Sequence, residues 1–229
     1  MSTGLQVTAA GAYEHVINDL APAFDTPIRL TVTNAGGVIK RLETKEPVDV
    51  ALTSAAGIAQ LVAAGLAEAA TQTEIARVGL GIAVREGLPL PDLGSAEAVR
   101  AALLSTTRVA FIDPKGGGTS GPLIAKLFER LDVAQQMNET GVLSKAGKDV
   151  VRAVASGEAT LGLTQATELI GAKGVQFAGY LPPEVQVLSV YSGAVATFAA
   201  APGVAKRFLT FLKSPASVAR FRSGGWEAG

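Results

Sequence analysis

The chain has 229 residues, 48% of them hydrophobic, enough to bury a substantial core in one domain or two small ones. Its 20 basic and 20 acidic side chains cancel, so neither nucleic acid nor an anionic membrane surface is expected as a partner. Cysteine is absent and His15 is the single histidine, which excludes disulfides, thiolate nucleophiles and histidine-built metal centres; no metal and no cofactor is expected.

No apolar run reaches the roughly 18 residues needed to span a membrane. The opening stretch MSTGLQVTAAG enters a strand almost at once and has neither a charged n-region nor an apolar h-region. As the sequence stands the expected location is cytoplasmic, or periplasmic if an export signal was removed.

In chain order, β-type runs are predicted at 5–9, 28–33, 48–52, 78–84, 108–112, 159–163, 175–178 and 185–198. Helical spacing falls between them: Val16, Ile17, Leu20 and Phe24; Val38, Ile39 and Leu42; Ile58, Leu61 and Val62; Leu123, Leu127 and Leu131; Val150, Val151 and Val154. Two helical segments, 204–212 and 217–221, close the chain on either side of Pro215. This alternation predicts an α/β fold with mainly parallel sheets.

Two stretches read as crossings between lobes. ARVGLGIAVREG leads into the proline-broken LPLPDLGSAEAV, and EVQVLSVYSGAVATF is too long for one small sheet to use fully. The expected organisation is a discontinuous first lobe, 1–80 plus 190–229, and a second lobe, 84–185, with a ligand cleft between them.

The strand-to-helix junctions carry the functional signal. At 108–131, RVAFIDPKGGGTSGPLIAKLFERL runs from an apolar strand through Gly116, Gly117, Gly118, Thr119, Ser120 and Gly121 into a helix opening at Pro122. The glycines satisfy the dinucleotide fingerprint G-x-G-x-x-G, with Glu139 at the ribose position, but Pro114 and Lys115 separate them from the strand where that turn is tight. A Walker loop fails, because Pro122 and Leu123 stand where Lys and Ser/Thr are required. What remains is an anion cradle: the Thr119 and Ser120 hydroxyls and the Gly121 N–H at a helix start, or a plain capped turn. VTAAGAYEHV at 7–16 and TVTNAGGVIK at 31–40 follow the same order of strand, small residues and helix start. Three such ends converging on one cleft would suit an anion.

The stretches VTAAGAYEHVINDLAPAF, EPVDVALTS, ARVGLGIAVREGLPLPDLGSAEAVRAALL, GKDVVRAVASGEATLGLTQATELI and GYLPPEVQVLSVYSGAVA resemble the type 2 periplasmic solute-binding proteins. The similarity is to the branch of molybdate-binding components of ABC importers, and runs from Leu5 to about Arg222. It implies a two-lobed periplasmic-binding-protein-like fold, a small anionic ligand and, if the chain is exported, an ABC importer as partner. Carried over by position, it implies ligand contacts at Ala12 with its neighbour Tyr13, at Asn34, Gly36 and Gly37, at backbone N–H groups near 148–150, at Thr164 and Gln165, and at a cleft-facing Tyr191. Ala12 and Gly36 stand where a molybdate binder offers serine hydroxyls, so an organic carboxylate is expected rather than molybdate.

Arg77 is a candidate carboxylate clamp, and Lys115 a candidate donor beside Gly118, Thr119, Ser120 and Gly121. Each is alternatively a solvated surface cation. The expected activity is closure of two lobes on a small anion. The alternative is cofactor-independent proton-shift isomerisation of a carboxylate such as aconitate, for which Glu14, His15 and Lys115 are the candidate bases.

Overall fold

The computed structural model describes residues 4–116 and 118–228; Gly117 of the glycine loop and both extreme ends of the chain lie outside the described residues. The chain divides into two compact units, 1–77 with 190–229 and 78–189.

The first unit opens with β1 (Leu5–Ala10), a short 3-10 turn, and α1 (Glu14–Leu20), followed by β2 (Ile28–Thr33), α2 (Ala35–Glu43), β3 (Val50–Ser54) and α3 (Ala55–Ala63). Helices α2 and α3 have a readable local cause. Asn34 caps α2, its Oδ1 accepting the Gly37 N–H at 2.7 Å, and Ser54 caps α3, its Oγ accepting the Gly57 N–H at 3.2 Å. Val38, Leu42, Ile58 and Leu61 fall on the inward faces and are fully buried. Then β4 (Thr73–Arg85) begins, and the boundary between the units falls within it.

The second unit continues from β4 through α4 (Ala96–Ser105), β5 (Val109–Ile112), α5 (Gly121–Arg130), α6 (Ala134–Thr140), β6 (Val142–Ser144), α7 (Gly147–Ser156), β7 (Leu161–Gln165), α8 (Ala166–Leu169) and β8 (Val175–Tyr180). Its strands β7, β5 and β6 pair in parallel, while β7 and β8 both run antiparallel to β4. The core centres on Ile82, Phe111, Ile124, Leu127, Val150 and Leu163.

The chain re-enters the first unit within β9 (Leu188–Val195) and ends in α9 (Pro202–Leu212) and α10 (Pro215–Ser223). There β1 pairs in parallel with β2 on one side and β3 on the other, and β9 runs antiparallel to β3 from Val50↔Val195 to Ser54↔Tyr191. Asp49, 2% exposed, fastens this arrangement: its carboxylate accepts the Gln6 N–H at 2.8 Å and the Ala201 N–H at 3.1 Å, ahead of α9.

The sheets are therefore mixed rather than mainly parallel, because β4, β8 and β9 run against their neighbours. The last strand is shorter than the predicted 185–198. It ends at Val195, where the Ala196 and Thr197 N–H groups turn to the carbonyls of Asp49 and Leu66. Helix α5 opens at Gly121, one residue before the expected Pro122. Strand β6 and helices α6 and α8 escape periodicity, being three, seven and four residues long. No helix among the described residues is long and apolar enough to cross a membrane.

Candidate functional site

In the first unit the strand order β2–β1–β3 brings three carboxyl ends side by side, since Ala9 lies opposite both Val32 and Leu52. These ends lead to Asn34, to the 3-10 turn Gly11–Tyr13, and to Ser54. Asn34, Gly36 and Gly37 thus lie at the start of a nine-residue helix, partly exposed, and a Cβ on Gly37 would stand 2.2 Å from Thr33 Oγ1, forcing that side chain to move. The junction after β3 repeats the same pattern: Thr33-Asn34-Ala35-Gly36-Gly37 and Thr53-Ser54-Ala55-Ala56-Gly57 share threonine, a capping residue, alanine and a final glycine. Sequence reasoning missed this third junction, although that internal repeat marks it.

Two of the expected ligand contacts are buried among aromatic rings. Tyr13 and Tyr191, 0% and 1% exposed, meet edge-to-face at 5.4 Å, and Trp226 lies 5.1 Å from each, tilted against Tyr13 and edge-on to Tyr191. Burial among these rings, and secondarily the neighbouring Tyr191 phenol, pushes the Tyr13 phenol well above its ordinary pKa, so it remains neutral. Three large rings together bury more apolar surface than any of them could while facing solvent, and this holds Tyr191 inward. Ala12 is also buried, at 5% exposure, so its junction presents backbone rather than side chain.

Arg77 lies at the opposite style of position: half-exposed, with Nε 2.9 Å from Glu74 Oε1, and its backbone bridged to Glu227. It lines a pocket of about 620 Å³ with Lys213, Arg222, Trp226 and Glu227, which includes no other predicted site residue. Glu14 and His15 are exposed on α1.

In the second unit the glycine loop is shaped by packing. Asp113 Oδ1 accepts the Lys115 N–H at 2.8 Å and its carbonyl accepts the Gly116 N–H at 3.0 Å. A Cβ on Gly118 would stand 2.7 Å from Ile112 Cγ2, and one on Gly121 2.6 Å from the Asp113 carbonyl oxygen. Close approach to the preceding strand thus accounts for both glycines. Thr119 is partly exposed; Ser120 is 3% exposed at the start of α5 and makes no side-chain cap. Lys115 is exposed.

A second cluster gathers where β7 ends. Gln165 is 2% exposed, and the Thr164 hydroxyl donates to Glu168 Oε2 at 2.7 Å. The Glu168 carboxylate also accepts the Gly147 N–H at the start of α7, and a Cβ on Gly147 would stand 2.1 Å from Glu168 Cδ. Although the residue keeps some exposure, its carboxylate is enclosed, and burial raises its pKa against the two hydrogen bonds that lower it. Glu168 was not among the expected site residues.

The comparisons agree with this architecture. The periplasmic molybdate-binding protein of Azotobacter vinelandii superposes with a TM-score of 0.84 at 18% identity, covering 98% of this chain and 99% of that one. The sulfate-binding protein of Mycobacterium tuberculosis superposes at 0.78 and 18% identity, covering 99% and 87%. In sequence, the chain is 29% identical over 222 residues to an aconitate isomerase of Pseudomonas sp, covering 93% of this chain and 83% of the relative. The model for bacterial extracellular solute-binding proteins matches residues 5–227, and the chain belongs to that family.

Proposed function

We propose that this protein binds a small organic carboxylate, using the neutral donors at the strand ends of its first unit. One observation carries the reading: adjacent ends of β2, β1 and β3 lead into turns and helix starts made of Asn34, Gly36, Gly37, Ala12 and Ser54. Backbone N–H groups and helix dipoles there favour an anion without a charged side chain. A tetrahedral oxyanion needs donors around all four oxygens, and Ala12 and Gly36 supply no hydroxyl. A carboxylate asks for fewer. In the second unit, Lys115, Gly118, Thr119, Ser120 and Gly121 offer a further set of donors. With export, such binding would serve an ABC importer. A thermal-shift screen of the full chain against molybdate, sulfate and di- and tricarboxylates tests this, since a ligand at a hundred times its Kd stabilises by about 2.7 kcal/mol. Stabilisation by the inorganic anions alone would overturn it.

A second reading, proton-shift isomerisation of an unsaturated tricarboxylate, is favoured by the 29% identity to an aconitate isomerase. The enclosed Glu168, with its raised pKa, suits a general base better than the exposed Glu14, His15 or Lys115. Incubation with cis- or trans-aconitate in deuterium oxide, followed by proton NMR, decides it: interconversion with deuterium uptake supports turnover, and unchanged spectra exclude it.

A further inference from the structure

We propose that the Thr53–Ser54 junction ahead of α3 is an oxygen-anion position of the first unit, with Ser54 donating the hydroxyl that Ala12 and Gly36 cannot. The proposal rests on the small-carboxylate reading above. It starts from strand order: β3 lies between β1 and β9, so Ser54, its last residue, stands at a strand end next to the β1 turn and opposite Tyr191. The Ser54 Oγ accepts the Gly57 N–H at 3.2 Å, and a hydroxyl that accepts still has its proton to give. Ser54 is partly exposed, so that proton can reach a ligand.

The second observation is independent of the cap. Thr53 is 0% exposed, and its Oγ1 has no hydrogen-bond partner among the described residues. Its side chain packs against the first turn of α3: the Cβ position of Gly57 lies 2.9 Å from Thr53 Cγ2, 3.3 Å from Ser54 Oγ and 3.4 Å from Thr53 Oγ1. Two hydroxyl oxygens, with the Thr53 methyl beside them, therefore lie within 3.4 Å of one point at the start of a nine-residue helix. A buried hydroxyl left unpaired is costly, and such atoms are rare in folded proteins. An acceptor oxygen arriving at this turn would engage Ser54 and draw Thr53 into the same network. A carboxylate oxygen is the chemistry it fits, because the surroundings are neutral donors at the positive end of a helix.

The test separates capping from binding. Ser54→Asp keeps a strong N-cap but places a negative charge where the ligand oxygen would sit, and Thr53→Val removes the buried hydroxyl at nearly constant volume. Calorimetric titration uses trans-aconitate, citrate and succinate as probes, with thermal melts run in parallel. Expected for any probe that binds wild type: Ser54→Asp abolishes binding with the melting temperature held, and Ser54→Ala weakens binding about five- to hundredfold. Unchanged affinity in Ser54→Asp overturns this position while leaving the carboxylate reading intact. A wild-type protein that binds none of the probes overturns the carboxylate reading, and this position with it.

Discussion

Gly147→Ala should evict the Glu168 carboxylate from the start of α7, and the consequence can be worked from distances. The added Cβ would stand 2.1 to 2.4 Å from the carboxylate carbon and its two oxygens, so the carboxylate must leave. Leaving breaks the Thr164 hydroxyl bond at 2.7 Å and the Gly147 N–H bond. Hydrogen bonds to a charged group contribute about 1.5–3 kcal/mol each. Against that loss, the released carboxylate regains water, and alanine gains roughly 0.5–1 kcal/mol over glycine in a helix. The expected net destabilisation is about 1–3 kcal/mol, or about 2–12 °C in melting temperature for a chain of this size. The sign with pH is also fixed. A carboxyl whose pKa is raised in the folded state binds more protons folded than unfolded. Its contribution is full below the ordinary carboxylate pKa and declines as pH rises through the raised one. Once evicted, Glu168 loses this dependence, so the gap between wild-type and variant stability should narrow as pH rises through that window. Urea titrations from acid to neutral pH measure both. An unchanged midpoint with an unchanged pH slope would refute the eviction.

Molybdate and tungstate should bind weakly or not at all in calorimetry, because Ala12 is buried and hydroxyl-free and Gly36 has no side chain; submicromolar affinity would show that other donors suffice. Asp49→Ala should destabilise the first unit by about 2–4 kcal/mol in urea melts, since it leaves the Gln6 and Ala201 amides without their acceptor; Asp49→Asn should recover part of that loss. Gly118→Val should cost about 1–3 kcal/mol by forcing a Cβ to within 2.7 Å of Ile112 Cγ2, whereas Thr119→Ala with Ser120→Ala should leave the melting temperature nearly unchanged and report only on ligand affinity.

The local grammar of this protein was open in its sequence. The apolar runs that became β1 and β2 and the helical spacing of Val38, Leu42, Ile58 and Leu61 depend on residues within one turn or one strand, where side-chain period dominates. Strand direction was not open: β4, β8 and β9 run antiparallel to partners far along the chain, a choice made by core burial between distant segments. The glycines at 118 and 121 read in sequence as room for a ligand, yet their missing Cβ atoms admit Ile112 and the Asp113 carbonyl, which only packing reveals. Tyr191 likewise carries the same residue type whether it faces a ligand or a core. Its ring is held by Tyr13 and Trp226, brought together from opposite ends of the chain. Glu168 became a candidate only when Gly147, 21 positions earlier, was found against its carboxylate, because desolvation and helix ends act through space and not along sequence.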